Sequence, residues 1–531
     1  MNAINPTTDS NAQLRRWMYH LVIAAALAMA CGRIMSVQRV YEPAFHRDLA
    51  KPGDRRPLWP SARPTPMATF GSNDRSRFAT IRALVNDGTY VIGKRDGNVV
   101  RDSVIANLSA SNPFQTVMLA QTGYTIRTTS QSGILFEDGW QTIDAVLHPD
   151  TLEFYSSKPP LLSTLLAGLY WLLKQLFGWD IVTQHATVVR AMLVLVNALP
   201  FAGYLWLLTR IAEKWGKTDW GKLYIVATGA FGTLVTPFLI TLNNHTIGVF
   251  CVMLAWYSTL EIWRITSRAT GENRTLHYLA AGFFGSFAVT CELPALSLAT
   301  AIFILLLWWN PARAIVLFLP AAFLPAAGFF VTNYAAIGML KPAYAEFKGP
   351  WYQYEGSHWK ILPKEFSKKG IDFAKNVESR AEYGMHVLIG HHGLFSLTPI
   401  WILALIAMIA GSLQFGSIFR QALFKESTEF PWFVQPLALA LTIVVAGFYI
   451  RDDSANYGGF TNGLRWMMWL TPIWLTCLIP LADRLAQSCW LRWLGVILLT
   501  VSTFSACYQM WSPWRHPWIF DLMIELGWKG Y

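Results

Sequence analysis

Ser157-Lys158-Pro159-Pro160-Leu161-Leu162 opens the run SKPPLLSTLLAGLYWLLKQLFG, residues 157–178. Whether this run crosses a bilayer decides on which side every later segment lies. At 1.5 Å per residue its apolar part, 159–178, would reach roughly 28 Å, nearly the thickness of a bilayer core. Charge decides against crossing. If 159–178 stays on one side, Arg15/Arg16, Arg210/Lys214/Lys217/Lys222, Arg264/Arg268/Arg274, Arg313, Arg420/Lys425 and Arg484/Arg492 share a face. The short loops opposite hold Arg451, Arg465 and almost no other base. Crossing would move Arg210 and every later cluster away from Arg15 and Arg16. Basic residues collect in cytoplasmic loops, so the run is predicted to lie at the interface or to re-enter. Ser163 with Lys174, and Thr164 with Gln175, fall on nearly one helix face and supply its polar side.

The whole chain asks for lipid as solvent. Of its 531 residues, 53% are hydrophobic and 14% charged, with mean hydropathy +0.32. Soluble domains carry roughly 25% charge. Apolar runs fall at 17–36, 186–209, 221–241, 246–264, 276–291, 294–310, 313–333, 396–413, 432–450, 465–482 and 492–509. The expectation is an all-α polytopic membrane protein of about eleven transmembrane helices. The 25 Trp suit membrane interfaces. The net charge of +11 is read as loop Lys and Arg on the inner face, not as a nucleic-acid footprint. Six scattered cysteines with no CxxC pair indicate neither a disulfide framework nor a zinc site. Ala28-Met29-Ala30-Cys31 loosely mimics a lipoprotein cleavage site but lacks the Leu three residues before the Cys. Residues 17–36 are therefore read as an uncleaved first span.

This topology places 1–16 in the cytoplasm, the first helix at 17–36, and a long outer loop at 37–185 carrying the 159–178 helix. A helical bundle at 186–333, a second outer loop at 334–395, a second bundle at 396–509 and an outer tail at 510–531 follow. The stretch 50–66, rich in Pro and Arg, reads as irregular. Phe78, Ile81, Ala83, Leu84 and Val85 predict a helix that stops at Asp87-Gly88. No internal repeat is visible, which weakens an inverted-repeat transporter.

Chemistry is sought where polar groups meet the interface. Ser157 is a plausible N-cap, with two prolines suited to a first helical turn. Lys158 then stands beside a helix N-terminus, where free N–H groups and the dipole favour an anion. At a membrane surface that anion is a lipid phosphate; the plainer alternative is a snorkelling anchor. Upstream, Asp74 in Asn73-Asp74-Arg75-Ser76-Arg77-Phe78-Ala79 precedes a first helical turn just after the first span. It reads either as an N-cap or as a carboxylate whose basicity rises at the lipid–water boundary.

These two stretches resemble the GT-C superfamily of integral-membrane glycosyltransferases, closest to its family-39-like branch, which includes protein O-mannosyltransferases and the aminoarabinose transferase. Those enzymes carry Asp-Glu-x-Arg-Tyr-Ala in the first outer loop and Lys-Pro-Pro-Leu at the start of a later interfacial helix. Asp74-Arg75-Ser76-Arg77-Phe78-Ala79 matches the first and Lys158-Pro159-Pro160-Leu161 the second. The likeness is sharp over about residues 70–210. The family's second acid is Arg75 here, which weakens any metal case and leaves Asp74 as the main carboxylate.

The resemblance implies a GT-C-type bundle in the inner membrane, N-terminus cytoplasmic, with its active site on the outer side. It implies a polyprenyl-phosphate-linked sugar donor, a lipid, glycan or protein acceptor, inversion at the anomeric carbon, and no cofactor or metal. Asp74 would be the general base. Lys158, Arg465 and Arg190 would hold the donor phosphate; Arg190 matches an Arg found after the family's Lys-Pro-Pro helix. Asp144 and Glu153 precede that helix and could supplement the base, or be loop acids. Asn244 and His245, beside Asn243, form an outer turn, and Glu292 stands between two apolar runs, where an acid is costly and points to function. His391 and His392 open a span; they read as acceptor or phosphate contacts or as structural, since adjacent residues face different ways and no third metal ligand is evident. Asn456 to Arg465, with three glycines, makes a diphosphate cradle plausible but lacks the Gly-Lys-Ser/Thr of a Walker loop. The competing classes are a lipid or solute transporter, which would need charges at mid-bilayer depth, and a GT-C-shaped protein without activity.

Overall fold

A computed structural model describes residues 6–38, 66–96, 130–137, 139–268, 274–347, 349–354, 356–359, 379–414, 430–451, 457 and 461–528. The irregular stretch expected before residue 66, and Gly458 and Gly459 of the glycine-rich loop, lie outside these. The chain forms two compact units: residues 1–37, 189–328 and 362–531, and residues 38–188 and 329–361.

Every one of the eleven apolar runs contains a helix. Among the described residues, seven helices are long and apolar enough to cross a membrane: Ser10–Ser36, Pro160–Phe177, His185–Trp215, Asn244–Ser267, Pro311–Ile337, Val434–Arg451 and Cys489–Gln509. Thr275–Cys291, Leu293–Trp309 and Ile400–Leu413 are apolar but shorter. The all-α polytopic class holds. Length and composition place Pro160–Phe177 among the candidates, so these two properties do not separate it from a true span.

The first unit is packed as lipid solvation demands. Large aromatic residues fill its interior, and their polar atoms find hydroxyls: Trp256 Nε1 donates to Thr476 Oγ1 at 3.0 Å and Trp474 Nε1 to Thr442 Oγ1 at 2.8 Å. Ile406, Ile409, Leu413, Ile443 and Val444 instead face outward. In water such a surface would aggregate; against acyl chains it costs nothing.

Charge is sorted to the two ends of this unit. At one end Arg15 pairs with Glu213 and Asp219, Lys222 reaches Glu213, and Lys214 and Arg264 share Glu261. Asp483 accepts from the Lys217 and Thr218 N–H groups. Arg15, Lys214, Lys222 and Arg264, predicted to share a face, all join these ion pairs, while Arg420 and Lys425 lie outside the described residues. Arg33 lies further along the helix Pro6–Ser36, roughly 27 Å from Arg15 at 1.5 Å per residue, about one hydrocarbon core away.

The second unit contains a small sheet that hydrophobic patterning does not reveal. β1 (Gly93–Asp96), β2 (Ser130–Ser132), β3 (Ala145–Leu147) and β4 (Glu153–Ser156) pair antiparallel in the order β2-β1-β4-β3. Strands of three or four residues are too short to show a period of two. Gly133 adopts φ 97°, and a Cβ there would stand 2.7 Å from Gly93 Cα, so only glycine fits.

Ser72–Arg82 is helical and runs through a π turn, Ala83–Asp87, to Gly88, whose φ of 67° ends it as the sequence predicts. The helix Pro160–Phe177 uses its polar residues inside this unit. Thr164 Oγ1 meets the Tyr90 hydroxyl at 2.9 Å, and Lys174 Nζ donates to Asn86 Oδ1 at 2.8 Å. Leu165, Trp171, Leu172, Leu176 and Phe177 are exposed. Polar residues of this helix are thus occupied by protein, and the outward side is apolar, as a lipid surface requires.

Candidate active site

In the second unit, Asp74 is buried at 1% exposure. It is the third residue of its helix, not the N-cap; Gly71 holds that position. Its Oδ2 accepts from Phe70 N at 2.7 Å, and its Oδ1 from Gly71 N and Arg75 N, each at 2.9 Å. The carboxylate reaches back over the helix start to the Phe70 and Gly71 N–H groups, while Arg75 N also donates to Gly71 O at 3.1 Å. This makes it a rigidly positioned acceptor.

Ser157 is likewise not the N-cap of its helix; Pro159 is. The prolines enforce an extended approach, with Pro159 at ψ 131°, so capping by a preceding side chain is replaced by rigid φ angles. Ser157 N instead donates to Asp144 O at 3.0 Å. Lys158 Nζ donates to Asp144 Oδ1 at 2.8 Å, with the Lys side chain 22% and the Asp side chain 11% exposed.

Asp144 is the joint of this region. Ser76, two residues after Asp74, donates its hydroxyl to Asp144 O at 2.7 Å and meets Ser156 Oγ at 2.6 Å. Thr142 Oγ1 donates to Ser72 O at 2.7 Å. Trp359 Nε1 donates to Ile143 O at 2.9 Å and the Tyr354 hydroxyl to Ala145 O at 3.1 Å. Burial, with the Asp144 carboxylate nearby, pushes the Tyr352 phenol well above its usual value, so it stays a neutral donor. Glu153, by contrast, accepts from the Tyr155 hydroxyl at 2.9 Å within its own strand. Ser72, Ser76, Thr142 and Ser156 were not singled out in the sequence; isolated hydroxyls in a polar loop carry no periodic signal.

The first unit holds a second polar assembly. Glu292 caps the end of Thr275–Cys291 at 4% exposure. Its Oε1 accepts from Asn244 Nδ2 at 2.7 Å and lies in contact with His245 Nδ1. Asn244 also donates to Cys291 O at 2.8 Å. The Asn244-His245 turn and Glu292, two separate features in the sequence, are thus one cluster. Ring contacts continue from His245 to Phe238 and from Phe238 to Trp514, and the Arg465 guanidinium lies 5.1 Å over the Trp514 ring. Arg190 Nη2 donates to Val37 O at 2.9 Å, and its buried Nε has no partner among the described residues.

His391 and His392 sit in a turn between helices Arg380–Leu388 and Leu394–Leu397, not on a span, so helix-face geometry does not separate them. Their Nδ1 atoms are in hydrogen-bond contact. His386 stacks on His391 with centroids 3.9 Å apart, and His516 Nδ1 lies 3.4 Å from His392 Nε2. Sequence pointed to the adjacent pair only; His386 and His516 arrive through tertiary packing. Among the described residues no three His, Cys, Asp or Glu are arranged to hold a metal ion.

No family model matches the chain, and no curated protein matches it. Solved structures of the oligosaccharyltransferase AglB from Archaeoglobus fulgidus are similar in backbone. The apo form superposes with a TM-score of 0.42 at 9% identity, covering 93% of this chain and 56% of that one. A form tethered to an acceptor peptide containing the NVT sequon gives 0.44 at 10% identity, covering 94% and 56%. A complex with an inhibitory peptide and a dolichol-phosphate gives 0.40 at 11% identity, covering 93% and 56%. This chain thus spans about half the length of the structures it is similar to. These superpositions are loose, and what the chain does has to be read from its own residues.

Proposed function

We propose that this chain is an inverting integral-membrane glycosyltransferase that moves a sugar from a polyprenyl-phosphate donor to an acceptor hydroxyl at the outer face of the inner membrane. The observation that carries the reading is the joint at Asp144. Its carbonyl is held by Ser76 from the Asp74 helix and its carboxylate by Lys158, so the two motif stretches share one residue.

In this reading Asp74 takes the proton of the acceptor hydroxyl. The acceptor oxygen bonds to the anomeric carbon, the bond from that carbon to the phosphate oxygen breaks, and polyprenyl phosphate leaves with the electron pair. The Lys158 ammonium stabilises the charge that develops on the leaving phosphate, and Asp144 fixes where that ammonium stands. Arg465 and Arg190 are assigned the same kind of phosphate contact, each open to its own substitution. Asn244, His245, Glu292, His391 and Glu153 are assigned to substrate contacts. No cofactor or metal enters the scheme. The acceptor class is a lipid, glycan or protein hydroxyl.

The purified chain should release polyprenyl phosphate from a polyprenyl-phosphate sugar, and a deletion strain should accumulate such a lipid. No release from any lipid-linked sugar, with no accumulated lipid, overturns the reading. The orientation has its own test in a background without native cysteines. Pro60→Cys should react with a membrane-impermeant thiol reagent in intact cells, and Lys217→Cys only after permeabilisation.

A further inference from the structure

A cavity of about 560 Å³ opens in the first unit between the end of the first helix and the C-terminal segment. Met29 and Arg33 form one wall, Tyr508, Trp511, Arg515 and Asp521 the other. Its volume is that of a small-ligand site. Both helices that build it, Ser10–Ser36 and Cys489–Gln509, are among the candidate spans least buried by protein, with 22% of each apolar window buried. The cavity therefore opens where lipid would lie. Arg33 stands in the last turn of its helix, and exposed Tyr508 and Trp511 stand at the end of theirs, the pattern of a membrane–water boundary.

Its chemistry is that of an anion seat with an apolar approach. Arg33 gives Nε–H and one Nη2–H to Met510 O, at 3.0 and 2.9 Å, and one Nη1–H to Ser36 Oγ at 3.0 Å. A guanidinium has five N–H donors, so two are left for a ligand. Its plane is held 5.3 Å over the Trp511 ring, which fixes the fork in advance. Arg515 adds a second positive charge at the rim. Asp521, the one acid of the cavity, accepts from the Tyr508 hydroxyl at 2.9 Å and lies in the field of Arg515. Two guanidiniums thus face one lining carboxylate, while Glu525 acts on Asp521 and Tyr508 from beside the cavity. Met29 and Cys507 supply an apolar flank.

We infer that this cavity is a binding site for the phosphate headgroup of an anionic phospholipid of the surrounding bilayer, whose acyl chains lie along the exposed faces of the first and last long helices. The inference requires only that these helix ends lie at a membrane surface, and it does not depend on the proposed sugar transfer.

The test is lipid retention by the purified full chain, read by native mass spectrometry without sugar donor. The probes are dioleoyl-phosphatidylglycerol, dioleoylglycerol and undecaprenyl phosphate. Phosphatidylglycerol should bind one to one and dioleoylglycerol should not. Arg33→Gln with Arg515→Gln should weaken phosphatidylglycerol binding about tenfold or more, and Arg515→Lys less. If loss of the Arg33 bonds to Met510 O unfolds the double variant, Arg515→Gln alone should still weaken binding severalfold, since its exposed side chain has little packing to lose. Equal retention of dioleoylglycerol overturns the inference. So does unchanged binding in a folded variant, or a loss of undecaprenyl phosphate on Arg515→Gln greater than the loss of phosphatidylglycerol, which would make the cavity a carrier site instead.

Discussion

The Lys158–Asp144 pair of the second unit and the His245–Glu292 pair of the first are built from the same ingredients under different solvents. Lys158 and Asp144 retain 22% and 11% side-chain exposure; His245 and Glu292 retain 4% and 5%. The first pair belongs to a region rich in hydroxyls and loop backbone, where water and a ligand can reach the ammonium. The second sits at a helix joint in an apolar bundle, where Glu292 is compensated for lost hydration by Asn244 and His245. A pair with a partly exposed ammonium can be lent to a substrate at smaller cost, whereas a buried one mainly holds its neighbourhood together.

The largest effect expected is at Asp74. Asp74→Asn removes the base and should lower turnover by roughly 10²- to 10⁴-fold. Because the carboxylate accepts three backbone N–H groups, Asn also forfeits part of the capping, and stability should fall by about 1–2 kcal/mol. Turnover per folded molecule, with folding followed by melting, separates these. Wild-type turnover per folded Asp74→Asn protein would end the base assignment and make Asp144 or Glu292 the next to test.

Glu292→Ala should cost about 1–3 kcal/mol by leaving the buried His245 without its carboxylate neighbour. The expected outcome is a large drop in melting temperature or in recovered protein. A melting temperature equal to that of wild type would remove the contrast between the two pairs. Lys158→Ala should act on function before stability: KM for the lipid-linked donor should rise about tenfold, with Lys158→Arg retaining more, and melting should move little. An equal loss of stability at Lys158 and Glu292 would show that exposure does not distinguish them. The smallest effect is local. Gly133→Ala must accommodate a left-handed φ and a Cβ 2.7 Å from Gly93 Cα; about 1–3 kcal/mol of destabilisation is expected, measurable as earlier proteolysis within the second unit.

Much of this was legible in the sequence and some was not. The helix ending at Gly88 and the helices in all eleven apolar runs follow from local pattern. The N-cap reading of Ser157, and the N-cap alternative for Asp74, fail because capping residues look alike a few positions apart; only the backbone shows that Asp74 reaches back from N3 and that Pro159 replaces Ser157. Asp144 was noted as one of two loop acids, and nothing in its neighbours distinguished it from Glu153. Its role comes from Ser76 and Lys158, brought to it from distant parts of the chain. His386 and His516 were invisible for the same reason.

Sequence by itself determined the solvent and the helices. Apolar runs near twenty residues and clustered basic residues are local quantities, and lipid leaves the backbone of such runs no alternative but a helix. Tertiary structure decided which acid meets which base. A carboxylate becomes a lysine's counter-ion, a helix cap or a histidine's partner according to what the fold carries to within about 3 Å of it. Contacts of that range between distant residues leave no period, spacing or composition in the chain from which to read them.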